Sequence, residues 1–431
     1  MRVLIVNVPS SGHFNPMLTV ARELVNRGHE VRWYTGEYYR NAIETIGARF
    51  EPMVKAYDFG GMNKDDAFPH LVGLTGLQAF IESWKTVFLD DAPKEVDDIL
   101  SILENYAADV IIADETTFGA HYVYEKTGIP FAVIASTVYF YQSRDTAPIG
   151  LGLLPSNTFL GHIRNALLNT VTNRILLRKL RTYIEETRRQ VGLPAIKKGV
   201  VDSTAKEPDL YLLGTIPSFE YPRSDLYAQT HFVGPFFGPP AEEFTPPSWW
   251  DDLKDGRPVV HVTAGTITTD PAQLLIPTIK ALAKEDVLVV ATTGGIPLEK
   301  VVLDSRPDNL RLEKLLPHYY LLPHVDVMVT NGGYGGVQMA LTNGVPMVVA
   351  GATEEKPEVA NHVLYSGAGL YLKTQSPSED QIRKAVQTLL HDPKYKQRSL
   401  ALQRECQQRN GPQNAVNLIE ELVQSRQSLA A

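Results

Sequence analysis

Residues 9–16 read Pro-Ser-Ser-Gly-His-Phe-Asn-Pro and follow a short apolar run, residues 2–8. Histidine has an ordinary pKa near 6.5, so it can take up and return a proton at neutral pH. His13, in a strand-to-helix connection, is therefore a candidate general base. Gly12 beside it lets the backbone approach a ligand closely, and the helix behind offers its N-terminal amides to an anion. Taken alone, the loop also admits a histidine that only makes a structural hydrogen bond. Asp114 closes a second apolar run, residues 109–113. A carboxylate there can orient an imidazole and stabilise its protonated form. It can equally cap the next helix, a role for which Thr116 and Thr117 compete. Residues 330–336, Thr-Asn-Gly-Gly-Tyr-Gly-Gly, place four glycines between a strand and a helix. Backbone amides in such a turn can cradle phosphates. The run lacks the Gly-Lys-Ser/Thr ending of a Walker loop and the third glycine of the dinucleotide fingerprint. Residues 263–266, Thr-Ala-Gly-Thr, also follow a strand; they supply amides and the Thr266 hydroxyl to the same phosphates, or form a simple tight turn. The 11 histidines are scattered, and no metal site stands out.

These positions depend on the elements around them. Over the first 140 residues, apolar runs fit for buried parallel strands (2–8, 30–35, 109–113, 131–135) alternate with helical periodicity (16–27, 38–46, 77–106, 116–126). Asn15-Pro16 predicts the start of the first helix, and Gly28 its end. The alternation resumes near residue 257, with strands at 258–263, 287–291, 325–330 and 346–350. Helices are predicted at 271–283, 334–342, 357–365, 378–390 and 394–409. Strand–helix alternation means a parallel sheet covered on both faces, and the pattern occurs twice. Between the two regions, residues 232–247 are dense in Gly and Pro and read as a linker. The fold class is therefore α/β, with two doubly wound domains whose facing strand ends form a cleft. Residues 151–192 are helical, with a basic stretch at 174–189. A membrane-surface helix and a solvated helical face both fit; Glu185 and Glu186 dilute the charge in favour of the second.

With 431 residues, 41 Lys+Arg and 49 Asp+Glu, the net charge is −8, which argues against a nucleic-acid partner. One cysteine, Cys406, supports neither a disulfide scaffold nor a thiolate metal site. No apolar run reaches the length of an integral membrane segment, and the first run is too short for a signal peptide, so a cytoplasmic location is expected.

Together these features resemble the nucleotide-sugar-dependent glycosyltransferases of the GT-B fold (the GT1 or UGT group), most closely the bacterial branch that modifies macrolides and other natural products. The resemblance covers nearly the whole chain. Ser-Gly-His13-Phe-Asn-Pro matches the acceptor-side loop, which implies a general base at His13 and an orienting aspartate at Asp114. Gly265-Thr266 matches the diphosphate-contacting turn. The stretch from Leu315-Leu316-Pro317-His318 through Gly332-Gly333, Gly344-Val345-Pro346 and Glu355-Lys356 to Gly367-Ala368-Gly369 matches the donor-binding signature. The donor residues implied are Gly12, Gly265, Thr266, Leu316, His318, Asn331, Gly332, Gly333, Gly335, Gly336, Glu355 and Lys356. Four positions depart from the family's habit: Asn331 for the phosphate-loop His, Leu315 for the stacking Trp, Met339 for the ribose-holding Glu, and Glu355-Lys356 for Asp-Gln.

The implied domains are an acceptor domain, 1–231, the linker 232–247, a donor domain, 248–410, and a helix, 411–431, that crosses back to the first. The implied reaction is inverting transfer from a UDP- or TDP-sugar, UDP-sugar first, to a hydroxyl of a small, largely apolar phenolic or polyketide-like acceptor. The nucleotide sugar is a co-substrate, and no other cofactor or metal is implied. Acceptor contacts fall to Phe59, Phe80, Trp84, Tyr139 and Tyr141, with core packing the other reading for most of them. A monomer or homodimer is expected. The rival classes are a catalytically silent nucleotide-sugar-binding protein and a GT-B sugar-nucleotide epimerase.

Overall fold

The computed structural model describes residues 1–196, 199, 202–238, 244–263, 265 and 270–430. Two compact units result: Met1–Gly214 with Pro222–Phe236 and Asn410–Ala431, and Phe237–Arg409 with the short segment Thr215–Tyr221.

Among the described residues, unit 1 is built on seven parallel strands: β1 (Arg2–Val6), β2 (Glu30–Thr35), β3 (Arg49–Pro52), β4 (Val110–Asp114), β5 (Phe131–Ala135), β6 (Leu210–Leu213) and β7 (Thr230–Phe232). Their order is β3-β2-β1-β4-β5-β6-β7. Side chains alternate across the sheet with the strand period of two. Val3 and Ile5 join a core with Phe14, Met17 and Leu24 of the first helix and with Val416 and Ile419 of the terminal helix, Gly411–Ala430. Leu4 and Val6 join the opposite core with Trp84, Leu89 and Phe118. The terminal helix is also tied by Arg27 and His29, both of which reach Glu420, and by Asn414, whose amide donates to Val233 O.

Unit 2 has six parallel strands among its described residues: β8 (Val259–Thr263), β9 (Leu288–Thr292), β10 (Leu310–Glu313), β11 (Val327–Thr330), β12 (Met347–Val349) and β13 (Gly369–Tyr371). The order is β10-β9-β8-β11-β12-β13. In both sheets the chain winds outward from the centre in two directions. The reversal falls between β1 and β4 in unit 1 and between β8 and β11 in unit 2, and ligands of open parallel sheets bind at such reversals.

Several expectations change. The first helix runs Ser11–Asn26, a turn earlier than Asn15-Pro16 predicts, because the His13 and Phe14 amides already donate to Ser10 O. Pro16 is the sixth residue of the helix, past its first turn, and cannot supply the amide that would otherwise bond to Gly12 O. The stretch 77–106 is not continuous: Gly76–Ser83 passes into a π-helical turn, Trp84–Leu89, before the helix Ala92–Asn105. β7 reaches Phe232 and unit 1 continues to Phe236, so the expected boundary at 231/232 cuts a strand. Residues 239–243 of the expected linker lie outside the described residues.

Candidate active site

The unit 1 site forms at the β1/β4 reversal. Val6 pairs with Ala113, so the chain leaving β1 runs beside the end of β4, where Asp114 stands. Asp114 is fully buried. Its Oδ1 accepts from the Thr116 amide at 2.7 Å and the Thr116 hydroxyl at 2.5 Å. Its Oδ2 accepts from the Val8 amide at 3.1 Å and the Thr117 hydroxyl at 2.6 Å. The carboxylate therefore closes a turn onto Thr116 and locks the end of β1, while the next helix (Phe118–Thr127) has Thr117 at its N-cap. His13, in the first turn of its helix, places Nδ1 3.3 Å from Asp114 Oδ1 and 3.4 Å from Thr116 Oγ1. Burial pushes the Asp114 carboxyl upward, but the charge and hydrogen bond of His13, with the Thr116 and Thr117 hydroxyls, outweigh it and hold the group well below the usual range. Next along the chain, Glu115 is buried and accepts from the amide and hydroxyl of Ser136. Burial and the neighbouring Asp114 raise it to about 7.

An aromatic wall extends from the imidazole. The Phe88 ring lies 6.0 Å from that of His13, Trp84 lies 5.8 Å from Phe88, and Phe80 lies 5.5 Å from Trp84. Phe59 packs edge-on against Phe68 in the preceding loop. Tyr139 and Tyr141, expected among the acceptor contacts, are core residues instead. Each is 2% exposed; they pack on one another and on Tyr211, and the Tyr141 hydroxyl meets Thr204. Phe88 was missed, although 80, 84 and 88 share the i, i+4, i+8 spacing of one helical face.

The unit 2 site forms at the β8/β11 reversal, where Thr263 pairs with Thr330. Gly265 has φ +75°, and a Cβ there would stand 3.1 Å from Asn331 Nδ2, so the two turns touch. Thr266 lies outside the described residues. The glycine run divides in two. The Gly332 amide donates to Thr330 Oγ1 and the Gly333 amide to Asn331 Oδ1, both at 3.2 Å. Gly335 and Gly336 lie in the first turn of the helix Tyr334–Thr342, whose earliest amides have no intrahelical acceptor. Asn331 is buried, and its carbonyl packs against Gly351, where a Cβ would be 2.1 Å away. Lys356, also buried, opens the helix Lys356–Ser366 and pairs with Glu354; Glu355, at the N-cap, is half-buried. Asn331 and Lys356 share a small cavity with Thr353.

Leu315 is exposed and Leu316 half-buried. His318 Nε2 is 3.2 Å from His261 Nε2, and His261 Nδ1 is 2.9 Å from Val290 O. A carbonyl only accepts, so the proton of neutral His261 sits on Nδ1. Its Nε2 then accepts from His318 Nε2–H, and His318 Nδ1 is left as an acceptor. Burial lowers His261 to about 3 and His318 to about 4, so both rings are neutral at ordinary pH. His261 had no sequence signal beyond an imidazole in an apolar strand.

The profile of the C-terminal domain of erythromycin biosynthesis protein CIII-like proteins matches residues 277–422. The chain is 53% identical to 4'-demethylrebeccamycin synthase of Lentzea aerocolonigenes, over 98% of this chain and 99% of that one. It is 32% identical to UDP-glycosyltransferase 2 of Phaeomoniella chlamydospora, over 98% and 95%. Among solved structures, the kitacinnamycin glycotransferase superposes with a TM-score of 0.73 at 24% identity, covering 98% of each chain. Glycosyltransferase VinC in complex with dTDP gives 0.69 at 20% identity, over 99% and 100%.

Proposed function

From the premise that this chain belongs to the nucleotide-sugar-dependent glycosyltransferases of the GT-B fold, we propose that it moves a sugar from a UDP- or TDP-sugar to a hydroxyl of a small, largely apolar natural product, with inversion at the anomeric carbon. The observation that carries this reading is the His13–Asp114 pair. A buried carboxylate with four chain donors holds an imidazole beside an aromatic wall. With Nδ1 turned to Asp114, Nε2 takes the acceptor proton, and the fixed carboxylate stabilises the imidazolium as it forms. The acceptor oxygen attacks the anomeric carbon from the face opposite the diphosphate. In unit 2, the first-turn amides at Gly335 and Gly336 receive the leaving diphosphate, where the helix dipole favours negative charge. Phe80 and Phe88 are half-buried and supply apolar surface for the acceptor; they are braced by Trp84, which is buried in the core between them rather than open to an acceptor. Leu316, His318, Glu355 and Lys356 hold the nucleoside and sugar.

The test is turnover of UDP- and TDP-sugars against a panel of aromatic and polyketide aglycones, with the anomeric configuration of the product read by NMR coupling. An α-linked donor yielding a β-linked product supports the reading. Retention of configuration would remove the single-displacement mechanism.

A further inference from the structure

The helix Phe159–Val171 lies within the segment 151–192, for which a solvated helical face is expected, but its exposed side is apolar. Its buried residues are Gly161, Asn165 and Asn169. The Asn165 amide donates to Arg144 O, and that of Asn169 to Ser143 O and Thr146 O, while His162 pairs with Asp145. The helix is thus fastened to unit 1 by hydrogen bonds. Its outward face carries Phe159 (78% exposed), Leu160 (76%), Ile163 (51%) and Leu167 (63%), and Ile175 (66%) continues the line in the π-helical turn that follows. At about 100° per residue the four helix positions fall within a stripe about 100° wide, and Ile175 widens it to about 160°, on the side away from the two buried asparagines. The stripe is about 24 Å long at 1.5 Å per residue.

Charge says what this stripe fits. From residue 146 to residue 184 the sequence has no Asp or Glu, although the whole chain carries 49 acidic residues against 41 basic. The same stretch holds Arg164, Arg174, Arg178, Lys179 and Arg181. Arg174, Arg178 and Lys179 are exposed where the stripe ends, and among the described residues none has a carboxylate partner. A second copy docked on this face would bring the same stretch and no acid to meet these cations. We propose that the Phe159–Ile175 stripe is a docking surface for an anionic lipid bilayer: the apolar side chains enter the boundary of the acyl region, and Arg174, Arg178 and Lys179 meet the headgroups. The helix follows β5 and packs on the loop beyond its C-terminal end, at the same edge of the sheet as His13. Docking there brings the acceptor side of unit 1 to the phase in which an apolar acceptor concentrates. The surface itself stands on exposure and charge, independently of the reaction.

The test is flotation of the purified full chain with vesicles of phosphatidylcholine alone, or of phosphatidylcholine mixed with phosphatidylglycerol, at low and high salt. Wild type should float with the mixed vesicles, weakly with phosphatidylcholine alone, and less at high salt. The double variant Leu160→Gln/Leu167→Gln should lose roughly tenfold or more in vesicle affinity. The triple variant Arg174→Gln/Arg178→Gln/Lys179→Gln should lose about fivefold per cation, on the anionic vesicles only. All five side chains are exposed, so melting temperatures and turnover of a water-soluble acceptor should stay at wild-type values. Absence of wild-type flotation, or equal flotation of wild type and variants, would overturn the proposal. So would light scattering that shows the leucine variant turning a dimer into a monomer, since the stripe would then belong to a second copy.

Discussion

Replacing His13 by alanine removes an imidazole whose ring is 17% exposed and which is held by one carboxylate and one hydroxyl, so little fold energy goes with it. Loss of a positioned general base costs roughly 10²–10⁴-fold in rate. Asp114→Ala differs in kind. At 3.3 Å and an effective dielectric of about 20, a full charge pair attracts by about 5 kcal/mol. That is a ceiling on what Asp114 adds to the imidazolium; with the ring and the Thr116 hydroxyl retained, the loss should be roughly 10–10³-fold. Asp114 also has a structural duty. Its removal leaves the buried Thr116 amide without its acceptor, while Val8 N retains Thr117 Oγ1 at 3.2 Å. Each stranded buried donor costs about 1–3 kcal/mol, so the melting temperature should fall for Asp114→Ala and hold for His13→Ala. The assay is single-turnover transfer to an unactivated alcohol, because a phenol ionised at the assay pH hides the need for a base. Donor affinity should be unchanged in both variants. The double variant should be little slower than His13→Ala, since the residues act as one unit. Near-full activity of His13→Ala on the alcohol, or losses that multiply in the double variant, would refute the dyad.

In the proposed reaction the diphosphate is stabilised by amides and a helix dipole, so turnover should survive EDTA; loss on chelation with recovery on Mg²⁺ or Mn²⁺ would show that the donor site is misread. Glu355→Ala should weaken productive use of the nucleotide sugar far more than binding of the free nucleoside diphosphate, measured by kinetics and calorimetry; equal losses would move Glu355 out of the sugar pocket. Burial raises Glu95 from 4.5 to about 8, against the Gly119 amide that it accepts at 3.0 Å. The native state therefore holds that proton more tightly than the unfolded chain, and stability present below pH 4.5 is lost as pH rises toward 8. Glu95→Gln keeps an acceptor for Gly119, so its melting temperature should match wild type near pH 5 and exceed it near pH 8 (flat curves for both would refute the burial argument). Gly12 is helical and a Cβ there would meet nothing within 4 Å, so Gly12→Ala should be stabilising by about 0.5–1 kcal/mol. A loss of donor binding in that variant would show that a ligand needs the bare backbone.

Strands at the centre of each sheet were legible because burial on both faces forces continuous apolar runs. The run 30–35 coincides with β2 and 131–135 with β5, and 109–113 is shifted one residue toward the N-terminus of β4. The strands that went unread are short or lie toward the sheet margins. β10, Leu-Arg-Leu-Glu, has one buried residue of four; β7 and β13 have three residues each, and β3 carries Arg49 and Glu51. β6 is four residues long and fully buried, and its length does not explain the omission, since β11 is equally short and falls within the run 325–330. His13, Asp114 and the glycine run were legible because each follows a central strand. Tyr139 and Tyr141 were misplaced because aromatic content says nothing of direction: the two rings pack edge-on against each other and against Tyr211, Phe140 stacks on Tyr141, and the Arg223 guanidinium lies over Tyr139. The outward face of Phe159–Val171 was hidden in the same way. Its apolar periodicity was present, but helical periodicity specifies two faces and not which one meets the protein; the asparagine amides bonded to residues 143–146 decide that.

In each unit the candidate site follows from the same topological fact. A sheet that winds in both directions from its centre must leave two adjacent strand ends without a crossover between them, β1 and β4 in one unit and β8 and β11 in the other. The chains leaving those ends diverge, and the space is filled by whatever the first turns supply. In unit 1 they supply an acid and a base, because Asp114 is held by Thr116, Thr117 and Val8 while His13 is carried in on the first turn of a helix. In unit 2 they supply amides, because Gly265 and Asn331 interlock and the next helix, capped at Gly333, carries Gly335 and Gly336 in its first turn. Moving the helix start from Asn15 to Ser11 therefore matters beyond bookkeeping of boundaries. It transfers His13 from a loop to a helical turn anchored by two amide bonds to Ser10 O. Held on that turn, opposite a carboxylate with four donors, His13 has its orientation set by the fold, and the His13→Ala comparison above decides between the proposed base and a histidine that only makes a structural hydrogen bond.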